Sequence, residues 1–175
     1  EAALKGDLAV LQRGADGIAQ VFTGVQLPGV LDDLYGDDAR DETIGVKFDE
    51  DLPSLRLWAP TATSVDLLLF DDLLGSGEPA RIAMTRAADG TWAVEGEAGW
   101  ANRAYQFDVN VFVPSLDAVT HNVVTDPYSE GLMLNSTHSV LVNLDDPQWA
   151  PEIWNDTPAP KVEQFVDRAI YELHI

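Results

Sequence analysis

Acidic side chains are the most abundant reactive groups of this sequence, which has 30 Asp and Glu residues against 10 Lys and Arg. Two carboxyl groups held roughly 5 to 10 Å apart in a cleft can act together as acid and base, or as acid and nucleophile. No motif singles out one such pair among so many carboxylates. The sequence therefore predicts no catalytic residue in this chain.

Metal sites are the next chemistry to consider. His121, His138 and His174 are too widely separated for a zinc site, and we expect no metal there. The acidic stretches 32–33 and 37–42 could bind Ca²⁺ through carboxylate oxygens. A solvated charged run is the simpler interpretation of both stretches. Calcium is the one cofactor left open.

Composition limits the partners and the location. The formal net charge of −20 argues against nucleic acid and anionic membranes, which both need a positive surface. The absence of cysteine excludes disulfides and thiolate metal sites. No apolar run reaches the roughly 20 residues of a membrane span. The chain begins without methionine, so we expect its true start to be missing, and we favour a secreted or periplasmic protein.

The elements that must position any site are short strands. Residues 54–70 predict a strand, a turn and a second strand, the latter covered on both faces. Strict alternation over 105–113 predicts another strand, with Tyr105, Phe107 and Val109 buried. We expect residues 65–70 and 105–113 to lie in facing sheets. Turn signals recur every eight to twelve residues, which predicts an antiparallel β-sandwich.

The flanking regions have less regular patterns. Residues 7–22 favour a β-hairpin over a short helix, because glycines sit at the centre of the segment. Residues 24–36 read as a linker with one helical turn at 31–35, followed by a charged loop. Residues 145–160 predict an ordered linker whose tryptophans dock on another surface. A last strand is expected from Ala169 to Ile175.

Five segments carry a resemblance to a known family: GVQLPGVLDDLYG (24–36), LRLWAPTATSVDLLLFDD (55–72), DGTWAVEGEAGWANRAYQFDV (89–109), VTDPYS (124–129) and IYELHI (170–175). Together they resemble the pullulanases and limit dextrinases of the α-amylase superfamily (glycoside hydrolase family 13). Members of the family hydrolyse α-1,6-glucosidic links in branched glucans.

The resemblance implies an all-β fold of immunoglobulin-like, early-set type. Residues 1–25 would be the tail of a preceding β-domain, seen as a partial β-hairpin. Residues 26–145 would be the β-sandwich, similar to carbohydrate-binding module family 48. Residues 146–175 would be a linker and the first strand of a truncated (β/α)8 barrel. The family's catalytic aspartate and glutamate lie on later barrel strands, so this chain alone would not be an enzyme, whereas its parent would be a glycoside hydrolase.

Within that resemblance, tryptophans are the candidate carbohydrate-binding residues, because an indole offers a flat apolar face to a sugar ring. Trp100 lies in a predicted loop and is the best candidate. Trp92 and Trp58 lie in predicted strands, where core packing is the simpler interpretation. The region 58–113 has no lysine, which argues against strong glucan binding.

The sequence therefore predicts a non-catalytic module of a debranching enzyme that acts on pullulan, starch or glycogen dextrins. Its expected partners are α-glucan, bound weakly or through the parent enzyme, and the catalytic barrel of the same polypeptide. The alternative is a purely structural or adhesive immunoglobulin-like module with no carbohydrate role.

Overall fold

A computed structural model describes residues 2–154 and 156–174. The chain divides into two compact units, one ending at Asn143 and the other beginning at Leu144. The predicted division at residues 25 and 145 stays a prediction. Within the described residues, no helix combines the length and the apolar character needed to cross a membrane.

The first unit is an antiparallel β-sandwich, so the predicted fold class is confirmed. Its strands are β1 (Ala9–Arg13), β2 (Ala19–Gly24), β3 (Gly45–Asp49), β4 (Leu52–Trp58), β5 (Ser64–Leu69), β6 (Ala80–Ala83), β7 (Thr85–Arg86), β8 (Thr91–Glu95), β9 (Ala104–Val113), β10 (Ala118–Val124), β11 (Gly131–Leu132) and β12 (Ser139–Val140). Short 3₁₀ turns occupy Ala2–Lys5, Pro114–Leu116 and Leu134–Ser136.

Two sheets form the sandwich. The main sheet has the order β11-β12-β9-β5-β6, with β10 also paired to β9. The second sheet has the order β3-β4-β8-β7. β1 and β2 pair only with each other, which confirms the predicted hairpin over residues 7–22.

The core lies between the inner faces of these sheets. β4 turns Leu55 and Leu57 inward, while Phe107 of β9 has no exposed surface. Tyr105 is also fully buried, and its ring meets that of Phe107 edge to face at 5.6 Å between centroids. Val109 is only partly buried but packs against the same cluster.

The expectation that residues 65–70 and 105–113 face each other is wrong. β5 and β9 are neighbours in the main sheet, where Leu67 lies opposite Phe107. The alternation of apolar residues gives the buried face of a strand and says nothing about which strand lies beside it. The sheet that faces them contains β4 and β8.

Residues 28–40 are helical, although they were expected to be a linker with one turn and then a charged loop. Helix α1 consists of Pro28–Leu31, a π-helical turn over Asp32–Gly36, and Asp37–Arg40. Tyr35 and Ala39 are buried and four residues apart, so they lie on one face of the helix. Tertiary packing of this face overrides the poor helix propensity of the glycines and proline nearby.

The second unit has little regular structure. It contains the 3₁₀ turns Pro147–Trp149 and Phe165–Asp167. The strand expected over 169–175 is absent from residues 169–174, and Ile175 lies outside the described residues. A strand needs a neighbour for its backbone hydrogen bonds, and no described strand pairs with this segment. Trp149 and Trp154 are exposed, and their docking on another surface stays a prediction.

A buried carboxyl group fastens the loop after β10 to the core. Asp126 is 3% exposed and accepts hydrogen bonds from the Tyr105 hydroxyl at 2.7 Å and the Tyr128 N–H at 2.8 Å. Its own N–H donates to the Ser139 hydroxyl at 2.9 Å. Burial raises the pKa of Asp126 above its ordinary value, although both bonds that the carboxyl accepts act in the opposite direction.

The raised pKa of Asp126 predicts that stability falls as pH rises. The folded chain keeps this proton at pH values where the unfolded chain has already lost it, so the stabilisation is present at low pH and is lost from about pH 4 upward, as pH passes through the folded pKa. The side chain of Asp126→Asn stays neutral. The free energy of unfolding of this variant should therefore increase relative to that of the wild type between about pH 4 and pH 7. Urea unfolding across this range measures the difference.

Asp33→Asn, at an exposed position on helix α1, is the control and should show no such trend. A constant difference between Asp126→Asn and the wild type across the whole range would contradict the prediction.

Candidate functional site

Two of the three candidate tryptophans belong to the core. Trp92 is 6% exposed, and its Nε1 donates to the Ala59 carbonyl at 3.0 Å. Trp100 lies in a turn, as expected, but its indole is 8% exposed and packs in the same cluster. This burial argues against Trp100 as the best carbohydrate-binding candidate. A chain segment without regular structure can still fold its aromatic side chain inward, and loop position alone does not reveal this.

Trp58 is the exception, because it lines a surface cleft. It is half-buried on the outer side of β4, where it alternates with the inward Leu57. The cleft has a volume of about 200 Å³ and is lined by Asp32, Gly36, Ala39, Arg40, Ile44 and Trp58. The Trp58 Nε1 is buried without a hydrogen-bond partner in the described structure.

Helix α1 forms one wall of the Trp58 cleft, and Tyr35 anchors it. Arg86 lies 5.8 Å from the centre of the Tyr35 ring, and its Nη2 donates to the Tyr35 hydroxyl and to the Pro60 carbonyl, each at 3.4 Å. Gly90 completes the contact, since a Cβ built there would lie 2.8 Å from Pro60 Cβ and 3.3 Å from Tyr35 Cγ. The helix therefore depends on the β7–β8 turn for its position.

A second, polar cleft of about 220 Å³ lies on the same outer face of the second sheet. It is lined by Asp41, Glu42, Thr43, Lys47, Ser54, Leu55, Arg56, Ala93 and Glu95. Arg40 and Ile44 line the first cleft, and residues 41–43, which lie between them in the sequence, line the second. The two clefts are thus adjacent.

Arg56 organises the polar cleft. Its Nη2 lies 3.2 Å from Glu42 Oε2, and its Nη1 donates to the Thr91 hydroxyl at 3.0 Å. The same Nη1 lies 3.7 Å from Asp89, which is itself buried and accepts from the Thr91 N–H and hydroxyl. The guanidinium is thus held by two carboxylates and a hydroxyl, and its position is fixed before any ligand arrives.

The side chains that line these clefts can contact a ligand through stacking and hydrogen bonds. An indole beside hydroxyl, carboxylate and guanidinium groups suits a neutral, hydroxyl-rich ligand, which combines an apolar face with many hydrogen-bond donors and acceptors. Asp126, the acid with the raised pKa, lies under β9 and lines neither cleft. The prediction that no catalytic residue is present stays a prediction for the chain.

The other sequence candidates are held apart. His121 lies 3.2 Å from Asp108, while His138 packs edge to face on Phe70 at 4.8 Å between ring centroids. His174 belongs to the second unit. Among the residues that the structure describes, no three His, Asp or Glu side chains are placed to hold a metal ion. Calcium binding by the acidic stretches stays a prediction, and residues 37–40 of them are helical.

Comparison with known proteins gives a consistent result. Residues 43–129 match the carbohydrate-binding module 48 (isoamylase N-terminal domain), and residues 1–33 match the pullulanase N2 domain. The chain is 36% identical over 174 residues to "Pullulanase 1, chloroplastic" of Arabidopsis thaliana, and 31% identical over 179 residues to the pullulanase of Klebsiella pneumoniae. Each match covers 98% of this chain, but only 18% and 16% of the two relatives.

Solved structures agree. Ligand-free PulA from Klebsiella pneumoniae superposes with a TM-score of 0.81 at 32% identity, covering 87% of this chain and 14% of that protein. The chain belongs to the N-terminal region of the pullulanases. The pullulanase of Paenibacillus barengoltzii has a TM-score of 0.66 at 28% identity and covers 82% of this chain and 21% of that protein. The resemblance seen in the five sequence segments is confirmed.

Sequence reasoning missed the polar cleft on the outer face of the second sheet. Arg56 stands between the inward Leu55 and Leu57, so the alternation already placed it on the outer face together with Trp58. The alternation along β4 was therefore the sequence signal that could have identified Arg56. The partners Glu42 and Asp89 are 14 and 33 residues away in the chain (56 − 42 and 89 − 56) and carry no sequence signal.

Gly90→Ala is expected to loosen the wall of the Trp58 cleft. Gly90 has φ of +80°, a conformation that costs an alanine about 1 to 3 kcal/mol, and the new methyl group would also collide with Pro60. Gly99→Ala is the matched control, because Gly99 has φ of +93° and nothing lies within 4 Å of its added Cβ. Urea unfolding should show a larger loss for Gly90→Ala. Equal losses would contradict the proposed contact between the turn and the helix.

Proposed function

We propose that this chain serves as a non-catalytic N-terminal module of a longer α-1,6-glucan debranching enzyme. The observation that carries the proposal is the match of residues 43–129 and 1–33, in order, to two domains of the pullulanase N-terminal region. In this role the sandwich supports the catalytic barrel of the same polypeptide. The barrel would supply the carboxylic acid and the carboxylate nucleophile for hydrolysis with retention of configuration.

We further propose that the sandwich contacts α-glucan weakly through the Trp58 cleft. The cleft offers one half-buried indole and the Arg40 side chain. The pullulanase of Klebsiella pneumoniae has been solved in complex with maltotriose, so a relative binds a short α-glucan. The free energy of stacking on one residue only slightly exceeds the cost of the translational and rotational freedom that the ligand loses. The contact should therefore be weak.

The alternative is a structural or adhesive module without a carbohydrate role. The burial of Trp92 and Trp100 favours it, because two of the three candidate stacking residues are withdrawn into the core. The two proposals differ in what happens at the outer face of the second sheet when a glucan is present.

Titration of the 175-residue chain with maltohexaose separates these proposals. We expect a dissociation constant of about 1 mM or weaker, measured by calorimetry or by NMR shifts of residues around Trp58. Trp58→Ala and Arg40→Ala should weaken it further, whereas Trp154→Ala, which removes an exposed indole in the second unit, should not. Micromolar binding that survives Trp58→Ala would contradict the Trp58 proposal, and the absence of any shift would favour the structural alternative.

Activity of the parent protein tests the debranching assignment. A protein extended through the barrel should release reducing sugar from pullulan, with the anomeric configuration retained. The 175-residue chain alone should release none. Cleavage of amylose with pullulan left intact would contradict α-1,6 specificity while leaving a glycoside hydrolase.

A further inference from the structure

Strand β10 forms an open edge of the main sheet. Within the described residues it pairs with β9 alone, through the register Ala118 opposite Val113 to Val124 opposite Phe107. Val119 is 47% exposed and Val123 54% exposed, and two-thirds of the His121 side chain is accessible. Seven consecutive strand residues therefore end the sheet on this side.

The register shows which backbone groups are free at this edge. The Phe70 N–H donates to the Ala104 carbonyl on one side of β9, and the Leu141 N–H donates to the Arg103 carbonyl on the other. Because these directions alternate along a strand, odd-numbered residues of β9 bond toward β10. Their partners on β10 are Ala118, Thr120, Asn122 and Val124. The N–H and C=O groups of Val119, His121 and Val123 consequently point away from the sheet.

Other edges of the sandwich are protected. β6 is preceded by Pro79 and carries Arg81, which is paired with two carboxylates. β3 carries Lys47. β7 and β11 are only two residues long. Charged residues, prolines and short length are the usual devices that prevent strand addition. β10, with the sequence AVTHNVV, has none of them.

We propose that β10 pairs antiparallel with β10 of a second copy of this chain, around a two-fold axis at His121. This register sets His121 against its own copy, and Val119 against Val123 of the second copy. Every residue with outward backbone groups then meets another such residue, which gives two hydrogen bonds for each of three pairs, about six in all. On the opposite face Thr120 meets Asn122 of the second copy, and no like charges face each other within the strand.

The association should be weak and should increase with salt. One added strand buries less than the roughly 1,200 Å² of a stable interface. Two chains of net charge −20 also repel each other, and the Debye length falls from about 10 Å at 0.1 M salt to about 3 Å at 1 M. We therefore expect a monomer in dilute, low-salt solution and a growing dimer fraction as protein and salt concentrations rise.

Sedimentation velocity of the 175-residue chain, combined with amide hydrogen exchange read by NMR, tests the proposal. Dimerisation should protect the amides of Val119, His121 and Val123 in proportion to the dimer fraction. His121→Pro removes the central outward N–H without taking a donor from the β9 ladder. The dimer association constant should fall about tenfold or more.

Ala83→Pro is the matched control on β6, because its N–H also points outward: the neighbouring Met84 N–H donates inward to Val65. It should leave dimerisation within about twofold of the wild type, a change too small to correspond to one hydrogen bond. Val123→Lys is a second edge variant that does not alter the backbone, and it should weaken the dimer as His121→Pro does. The proposal is overturned by a monomer under all conditions, by a dimer in which the three amides stay unprotected, or by a dimer that persists in Val123→Lys.

Discussion

The pairing of β9 on both of its sides is the constraint on which the rest of the first unit depends. β5 pairs with residues 105–110 on one side, while β12 pairs with 104–105 and β10 with 107–113 on the other, so every residue of the strand has a partner on at least one side. Tyr105 and Phe107 then have to face the second sheet, and both are fully buried. Because the Tyr105 hydroxyl also holds Asp126, the same strand fixes the loop that leads from β10 to β11. Burial of Tyr105 beside that carboxylate raises the pKa of the phenol, which keeps the hydroxyl a donor.

The packing of the core determines which side chains lie on the outer face of the second sheet. Because Leu55 and Leu57 face the core, the alternating Arg56 and Trp58 must lie on the outer face of the sheet. Helix α1 then covers part of this face, and the two clefts are what remains uncovered. The same packing explains why Trp92 and Trp100, which are buried in the core, do not reach this outer face.

The sequence predicted the features that depend on the periodicity of a single strand. It did not predict the features that depend on contacts between distant parts of the chain. Alternation along residues 105–113 was enough to place Tyr105 and Phe107 inside. It could not show that β5 and β9 are neighbours, since pairing depends on the path of the chain between the sheets. Trp100 was placed in a turn correctly, but its burial follows from core residues distant in sequence. Only one turn of helix α1 was predicted, because the rest is stabilised by Tyr35 against Arg86, a contact across 51 residues.

Charge balance on this acidic surface relies on arginines that each serve more than one acceptor. Asp66 and Asp108 lie directly opposite on β5 and β9, an arrangement of like charges that destabilises a sheet. Arg81 offsets it by reaching both carboxylates at 2.7 Å, and these two bonds raise the pKa of its guanidinium. Arg56 is shared between Glu42 and Asp89 in the same manner. Arg56 uses both terminal nitrogens of its planar guanidinium for this, an arrangement that a lysine ammonium cannot reproduce. Because these arginines are already bound to acids, they are poorly suited to recruit an anionic partner.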